Sequence, residues 1–187
     1  MLTSVDQLKS IGAKIVMLKW LTRVAGVTKV SSSFNIWVDA DACPNLIKNV
    51  LFRLADKRQV DLVLVSNHFV KTPNSRFVSA KQVGKGFDEA DNEIIALMSE
   101  GDVVVTGDLP LANDVIQKAG FAINPRGTVY DKENIKSHLS RRDLMEDLRD
   151  SGVVSGGPSA LNKKHVLEFS NAIDRLVTKL EKARATK

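Results

Sequence analysis

The sequence predicts an α/β protein built on an open, mainly parallel central sheet flanked by helices. Three observations carry that prediction. Short β-rich apolar runs, such as Val60–Val65 and Val103–Val105, alternate with amphipathic stretches of ten or more residues. Connections of that length are what parallel strands need, and such crossovers are right-handed. Several apolar runs also stop at carboxylates, the placement expected where the carboxyl ends of parallel strands form a ligand crevice.

Each element follows in order. Residues 34–39 read as a first strand closed by acids. Pro44 suits the first turn of a helix, where its missing N–H does no harm. Leu46, Ile47, Val50, Leu51 and Leu54 give that helix an apolar face to about Lys57. Val60–Val65 is a second strand ending at Ser66-Asn67. Residues 67–76 are polar and turn at Pro73-Asn74-Ser75, and Phe77-Val78-Ser79 reads as a short edge strand. Gly84 and Gly86 flank Lys85 ahead of a helix from Asp88 to Ser99. Asp102–Thr106 is the next strand, and Leu109–Ala119 the next helix, stopped by Gly120. Phe121-Ala122-Ile123 makes a last short strand before Pro125-Arg126-Gly127. Residues 131–150 form one or two polar helices, residues 152–158 a glycine-rich flexible loop, and about 162–182 a final helix.

Composition sets bounds on function. A chain of 187 residues is about one domain with a substantial core. Cys43 is the single cysteine, which excludes an internal disulfide and a multi-cysteine zinc site and fits a reducing, cytoplasmic setting. The net charge of +5 is unevenly spread. Five of the 27 basic residues but one of the 22 acidic residues fall within 1–33, leaving 22 basic against 21 acidic in the body. The high pI therefore cannot by itself argue that the body binds nucleic acid.

Residues 1–33 read as a basic amphipathic extension, with Ser31-Ser32-Ser33 as its linker to a domain over 34–182. Val5, Leu8, Ile11, Ile15, Leu18 and Leu21 recur at helical spacing with lysines between them. Lys14, Lys19 and Arg23 interrupt any bilayer-length apolar run, so no transmembrane segment is expected. The stripe suits an extra helix packed on the domain, a surface helix contacting a partner or a membrane, or an organelle-targeting segment.

Five acids are the candidate catalytic and metal-binding groups. Asp39 and Asp41 are two apart, so both leave one face if the strand continues. Asp88 and Asp91 open a helix three residues apart, and Asp88 also suits a cap. Asp108 ends an apolar strand and precedes Leu109-Pro110, so it too can cap a helix. Clustered carboxylates repel, and such a group holds a cation or keeps a proton. Thr106 and Gly107 bring backbone close, as where a phosphate or metal approaches. Ser66, Asn67, Lys85, Thr106 and Arg126 are the candidate substrate or phosphate contacts. Lys71, Arg76, Lys81 and Lys85 occur with no acid between them; they either follow a phosphate backbone or keep an edge strand soluble. Arg141-Arg142-Asp143 either reaches the site or, the favoured reading, forms a surface ion network. His68, His138 and His165 share no ligand spacing, and Cys43 lacks an obvious base.

Seven ordered motifs together resemble the YaiI/YqxD family. They are Val38-Asp39-Ala40-Asp41-Ala42-Cys43-Pro44, Val65-Ser66-Asn67, Asp88-Glu89-Ala90-Asp91, Val105-Thr106-Gly107-Asp108-Leu109-Pro110-Leu111-Ala112, Pro125-Arg126-Gly127, Arg141-Arg142-Asp143 and Gly156-Gly157-Pro158. The resemblance spans residues 34 to about 180 and leaves out the first 33. It implies a three-layer, PIN-like (Rossmannoid) domain, a class many of whose members are Mg²⁺- or Mn²⁺-dependent ribonucleases. Asp39, Asp91 and Asp108 match the acidic positions of such nucleases, with Asp41 and Asp88 as neighbours. The resemblance thus implies phosphodiester hydrolysis, on RNA more than DNA, with Mg²⁺ or Mn²⁺ held by Asp39, Asp88, Asp91 and Asp108.

Two other readings fit the same residues. In a haloacid-dehalogenase-type phosphatase, Asp39 is a covalent nucleophile, Asp41 the acid, and Ser66 and Asp108 fill later motifs. Pro44 then leaves little room for that class's flap after the first strand. A nucleic-acid or nucleotide binder that does not cleave is the third reading.

Overall fold

Alternation along the strands decides which helices cover which face of the sheet. The computed structural model describes residues 34–84, 86, 88–154 and 159–185. Lys85, the 1–33 extension and Gly156-Gly157-Pro158 lie outside the described residues. Among the described residues, six strands form one sheet: β1 (Asn35–Asp39), β2 (Asp61–Ser66), β3 (Val78–Gln82), β4 (Val103–Val105), β5 (Phe121–Ile123) and β6 (Val129–Tyr130). Five helices accompany it: α1 (Asn45–Arg58), α2 (Glu89–Leu97), α3 (Leu109–Gln117), α4 (Ile135–Asp150) and α5 (Lys163–Ala185). The strand order is β3-β2-β1-β4-β5-β6, parallel throughout except for the antiparallel β5–β6 hairpin.

Ile36, Val38, Leu62, Leu64, Val103 and Val105 point to one face, where α1 and α5 pack through Ile47, Leu51, Phe169, Ile173 and Val177. Trp37, Val65, Val104 and Ala122 point to the other, where α2, α3 and the start of α4 contribute Ile94, Leu111, Val115 and Ile135. The result is the expected three-layer sandwich, with both sheet faces buried as parallel sheets require. Arg58 fastens α1 to α5, donating to Asp174 at 2.7 Å, Glu181 at 2.9 Å and Thr178 at 3.0 Å.

Three local details differ from the sequence reading. β3 is longer than Phe77–Ser79 and runs parallel to β2, Leu62 facing Val78 and Ser66 facing Gln82. Helix α3 is ended not by Gly120 but by Ala119, which takes a left-handed φ of 58°. Gly120 is needed for space: a Cβ there would stand 2.4 Å from Met98 Cε and 2.9 Å from Val115 Cγ1. β6 was not anticipated, since two residues carry too little periodicity to register as a strand.

The Pro125-Arg126-Gly127 motif forms the turn between β5 and β6. Asn124 Oδ1 accepts from Arg126 N at 2.9 Å and Thr128 N at 3.0 Å, closing the turn. Gly127 has φ 92°, and a Cβ would sit 2.8 to 2.9 Å from the Glu168–Phe169 backbone of α5. Gly127→Ala therefore combines left-handed strain with backbone overlap. It is expected to cost about 1–3 kcal/mol, read from the urea midpoint at unchanged m-value.

Candidate active site

The strand order places the site. Successive strands step one way from β1 to β3, then the other way from β4 to β6. The crevice beyond the carboxyl ends of β1 and β4 is thus a topological switch point, where α/β sheets bind ligands. Asp39 is the last residue of β1, and Thr106-Gly107-Asp108 follows β4 directly.

Alternation sends Asp39 to the Trp37 side of the sheet, under α2 and α3. There its carboxylate is 7% exposed and poorly paired. Thr106 Oγ1 donates to one oxygen at 3.2 Å, and the Ala42 N–H approaches the other at 3.5 Å. Both are at or beyond the long end of normal hydrogen bonds. Burial, aided by the charges of Asp41 and Asp108, raises the Asp39 pKa against the pull of those two bonds.

Asp91 stands in the first turn of α2, half-buried, and no hydrogen bond or ion pair among the described residues reaches its carboxylate. Burial first, then the charges of Asp39, Asp108, Asp88 and Asp114, push its pKa up to about 6. Asp108 is the N-cap of α3, its Oδ2 accepting from Leu111 N at 2.9 Å. Its own N–H donates to Thr106 Oγ1 at 3.0 Å. Thr106, 1% exposed, therefore links the backbone of Asp108 to the side chain of Asp39. Far apart in sequence, Asp39 and Asp108 both bear on Asp91 through their charge, and Asp108 bears on Asp39. Among the described residues, no three His, Cys, Asp or Glu side chains are drawn together as a ready metal-ligand set.

The other candidates are placed as follows. β1 ends at Asp39, so Asp41 does not continue its face. Asp41 turns toward the loop after β2, accepting from Asn67 N at 2.6 Å and lying 3.3 Å from His68 Nδ1. The phosphatase reading needs this carboxyl as its acid. Asp88 occupies the N-cap of α2 with φ 56° and no side-chain capping bond, so its expected capping role is not played. Ser66 is 1% exposed and donates to His68 O at 2.7 Å, which commits its hydroxyl locally. Among the described residues, Asn67 Oδ1 is buried without a hydrogen-bond partner. Arg126 reaches away from the acids: Nη2 donates to Ser159 O, and Nη1 lies 3.2 and 3.1 Å from the ring nitrogens of His165.

His165 itself completes a reciprocal helix cap: its backbone N donates to Asn162 Oδ1 at 3.0 Å, and its Nδ1 accepts from Asn162 N at 3.3 Å. His138 packs edge-on against Tyr130. Arg142 lies 4.0 Å from Glu146 on the exposed face of α4. Cys43 is buried, and its thiol is pushed up to about 12, chiefly by desolvation.

Sequence reasoning missed two acids. Asp114 adds negative charge over Asp91; its spacing from Asp108 on one helix was the available signal. Asp102, read as a strand start, is 2% exposed and fully engaged. It accepts from Asn35 N at 2.8 Å, Trp37 Nε1 at 2.8 Å and Ser99 N at 2.9 Å. The contrast with Asp39 separates a structural acid from an unsatisfied one.

The raised pKa values have a stability consequence. Asp91 titrates near 3.8 when unfolded and at about 6 when folded. The unfolded state therefore loses its proton first, and the stability contributed by this group is present below about pH 4 and lost as pH rises through about 6. In EDTA, Asp91→Asn is expected to flatten that decline, measured as the difference between wild-type and variant melting temperatures from about pH 4 to 7. Parallel pH profiles would show that Asp91 carries no such burden.

A family model described as "Uncharacterized BCR, YaiI/YqxD family" matches residues 37–179. A UPF0178 protein of Janthinobacterium sp. (strain Marseille) is 55% identical over 144 residues, covering 77% of this chain and 95% of the relative. The UPF0178 protein of Herminiimonas arsenicoxydans is 53% identical over 147 residues, covering 79% and 99%. One from Shewanella pealeana is 51% identical over 147 residues, covering 79% and 97%. No solved structure matches the chain. No helix among the described residues is long and apolar enough to cross a membrane.

Proposed function

Since the chain belongs to the YaiI/YqxD family, we propose from the site itself a divalent-metal-dependent nuclease that hydrolyses phosphodiesters, RNA in preference to DNA. One observation carries the reading. Asp39 is buried at the switch point with long hydrogen bonds, and its charge couples to Asp91 and Asp108. A carboxylate that serves the fold finds donors, as Asp102 does. Leaving a weakly bonded Asp39 beside an Asp91 with no bond among the described residues is costly unless something positive joins them.

The donor chemistry suits a hard cation, although among the described residues the carboxylates are not gathered into a ready ligand set. Carboxylate oxygens suit Mg²⁺ or Mn²⁺, whereas the nearby Cys43 stays a protonated thiol, its pKa pushed up to about 12, rather than the thiolate that softer metals favour. Asp39, Asp91 and Asp108 would hold the ion, with Asp88 at the edge. When bound, such an ion lowers the pKa of a water and stabilises charge on the phosphate.

The chain's own residues do the rest. Thr106 orients Asp39 by donating to it and fixes its spacing to the α3 N-terminus by accepting from Asp108 N. The Asp41 bonds to Asn67 and His68 hold the turn after β1 against the loop after β2. That turn forms the wall along which a phosphate would enter. The near-neutral body favours short or single-stranded substrates over extended duplex.

The test is Mn²⁺-supplemented cleavage of mixed RNA and DNA oligonucleotides by wild type and Asp108→Asn, with melting temperatures taken with and without Mn²⁺. Wild type is expected to cleave and to gain stability with Mn²⁺, as any ligand of the folded state confers. The variant is expected to do neither. Equal cleavage by both would identify a contaminant and end the nuclease reading.

A further inference from the structure

We infer that the concavity between the start of α1 and the segment after β2 is a binding groove for single-stranded nucleic acid, with one base stacked on Phe69 and adjoining phosphates held by Lys48 and Lys71. The inference deepens the nuclease reading, on which it rests, by giving the substrate strand a path to the acids.

The groove has a volume of about 300 Å³ and is lined by Asn45, Lys48, Asn49, Phe52, Phe69 and Lys71 among others. That volume is in the range of small-ligand sites. Its charge is one-sided, because the lining includes two lysines and no acid. Lys48 Nζ donates to the Ala40 carbonyl at 2.8 Å rather than to a carboxylate. Lys71 is exposed, and no ion pair among the described residues neutralises it. Pro44, at the N-cap of α1, provides no capping side chain; Ile47 N is taken by the Pro44 carbonyl, and the Asn45 and Leu46 amides at the helix start add to the positive rim.

Phe69 supplies the second element. Its side chain is 83% exposed and belongs to neither face of the core, although Val70 beside it packs inward. An aromatic ring held in water next to unpaired cations is the combination by which proteins grip unpaired bases. The ring stacks on a base face while the cations follow the backbone. Stacking of this kind needs an unpaired base, which excludes intact duplex.

The groove borders the turn that follows Asp39. Lys48 is bonded to Ala40, the residue between Asp39 and Asp41. Asp41 in turn holds Asn67 N and His68, and Phe69 follows. The turn over residues 40–44 is thus a shared wall, with cations and an aromatic ring on one side and carboxylates on the other. A strand anchored on Phe69 would run its next phosphates over that wall toward Asp39.

The test is fluorescence anisotropy of a short labelled single-stranded RNA in EDTA, so that binding is read without cleavage, using the full-length protein. Phe69→Ala is expected to weaken binding about 5- to 150-fold, the range for losing one base–aromatic stack. Lys71→Ala is expected to weaken binding and lower the salt-dependence slope by about 0.7. A duplex of the same sequence should bind more weakly and ignore Phe69→Ala. Both substitutions are at exposed positions, and matching melting curves would show that the variants fold. Unchanged affinity and slope in both variants, equal duplex binding, or no binding by wild type each overturn the groove. The two readings fail separately. Binding with these losses but no cleavage in Mn²⁺ keeps the groove and discards catalysis. Cleavage with unaltered KM in Phe69→Ala and Lys71→Ala keeps catalysis and discards the groove.

Discussion

Asp39→Asn is expected to lower Mn²⁺-dependent cleavage by about 10²- to 10³-fold while raising the metal-free melting temperature by about 2–4 °C. The first figure is the scale on which removing one preorganised electrostatic group slows an enzyme. The second corresponds to about 1 kcal/mol in a protein of this size. The two effects have opposite signs for one reason. Asp39 is buried beside other carboxylates, so its charge is costly in the metal-free fold. Asparagine keeps the shape and an acceptor for Thr106 Oγ1, but sheds the desolvation and repulsion. It also sheds the charge that would bind a cation. A stabilised, inactive variant is the signature of a functional site whose strain the rest of the fold sustains. A destabilised variant that still cleaves would make Asp39 a structural acid like Asp102. Melting curves in EDTA and cleavage in Mn²⁺, on one preparation, decide it.

Asp102→Ala is expected to do the reverse, costing about 3–5 kcal/mol of stability. The site is 2% exposed, and the carboxylate satisfies the backbone of β1 at Asn35, the indole of Trp37 and the backbone of Ser99. Truncation strands those three donors, and each buried donor left unsatisfied costs about 1–3 kcal/mol. Water entering the cavity left by the truncation would offset part of that sum. Asp102→Asn should cost less, since one acceptor oxygen survives while the new NH₂ opposes a donor. The urea midpoint measures the loss, and Trp37 fluorescence reports it directly because the indole is itself a partner. A loss below about 1 kcal/mol for Asp102→Ala would show that these bonds are replaced by water and that the acid is not a keystone.

Much of the architecture was readable because it rests on local pattern. The run Asn35–Asp39 declares a strand by its apolar residues and an end by its acid. α1 and α3 announce themselves by apolar spacing, and the lengths between strands require crossovers. What escaped was short or placed at an edge. β3 has one neighbour and exposed Ser79 and Ala80, so its alternation was too weak to show its length. β6 is two residues held by a hairpin.

The candidate site divides the same way. That acids stand at the ends of β1 and β4 and at the head of α2 is written in the chain. Where each side chain turns is not. Asp41 and Asp39 would share a face only if β1 ran on, and pairing with β2 and β4 ends it at Asp39. Arg126 follows a strand and is flanked by Pro125 and Gly127, which suggested a phosphate clamp. α5 lies against that turn and draws the guanidinium to His165, 39 residues away. Asp102 and Asp39 look alike in sequence; donors 65 to 67 residues distant from Asp102 make one of them structural.

By itself, then, the sequence determined a parallel α/β sheet, the order of its first five strands with their helices and the residues available for chemistry, because these follow from periodicity within a dozen positions. Only the tertiary structure decided which carboxylates are satisfied and which are left to repel one another. Hydrogen-bond partners and desolvation are supplied by elements far away in the chain, and no local spacing encodes them.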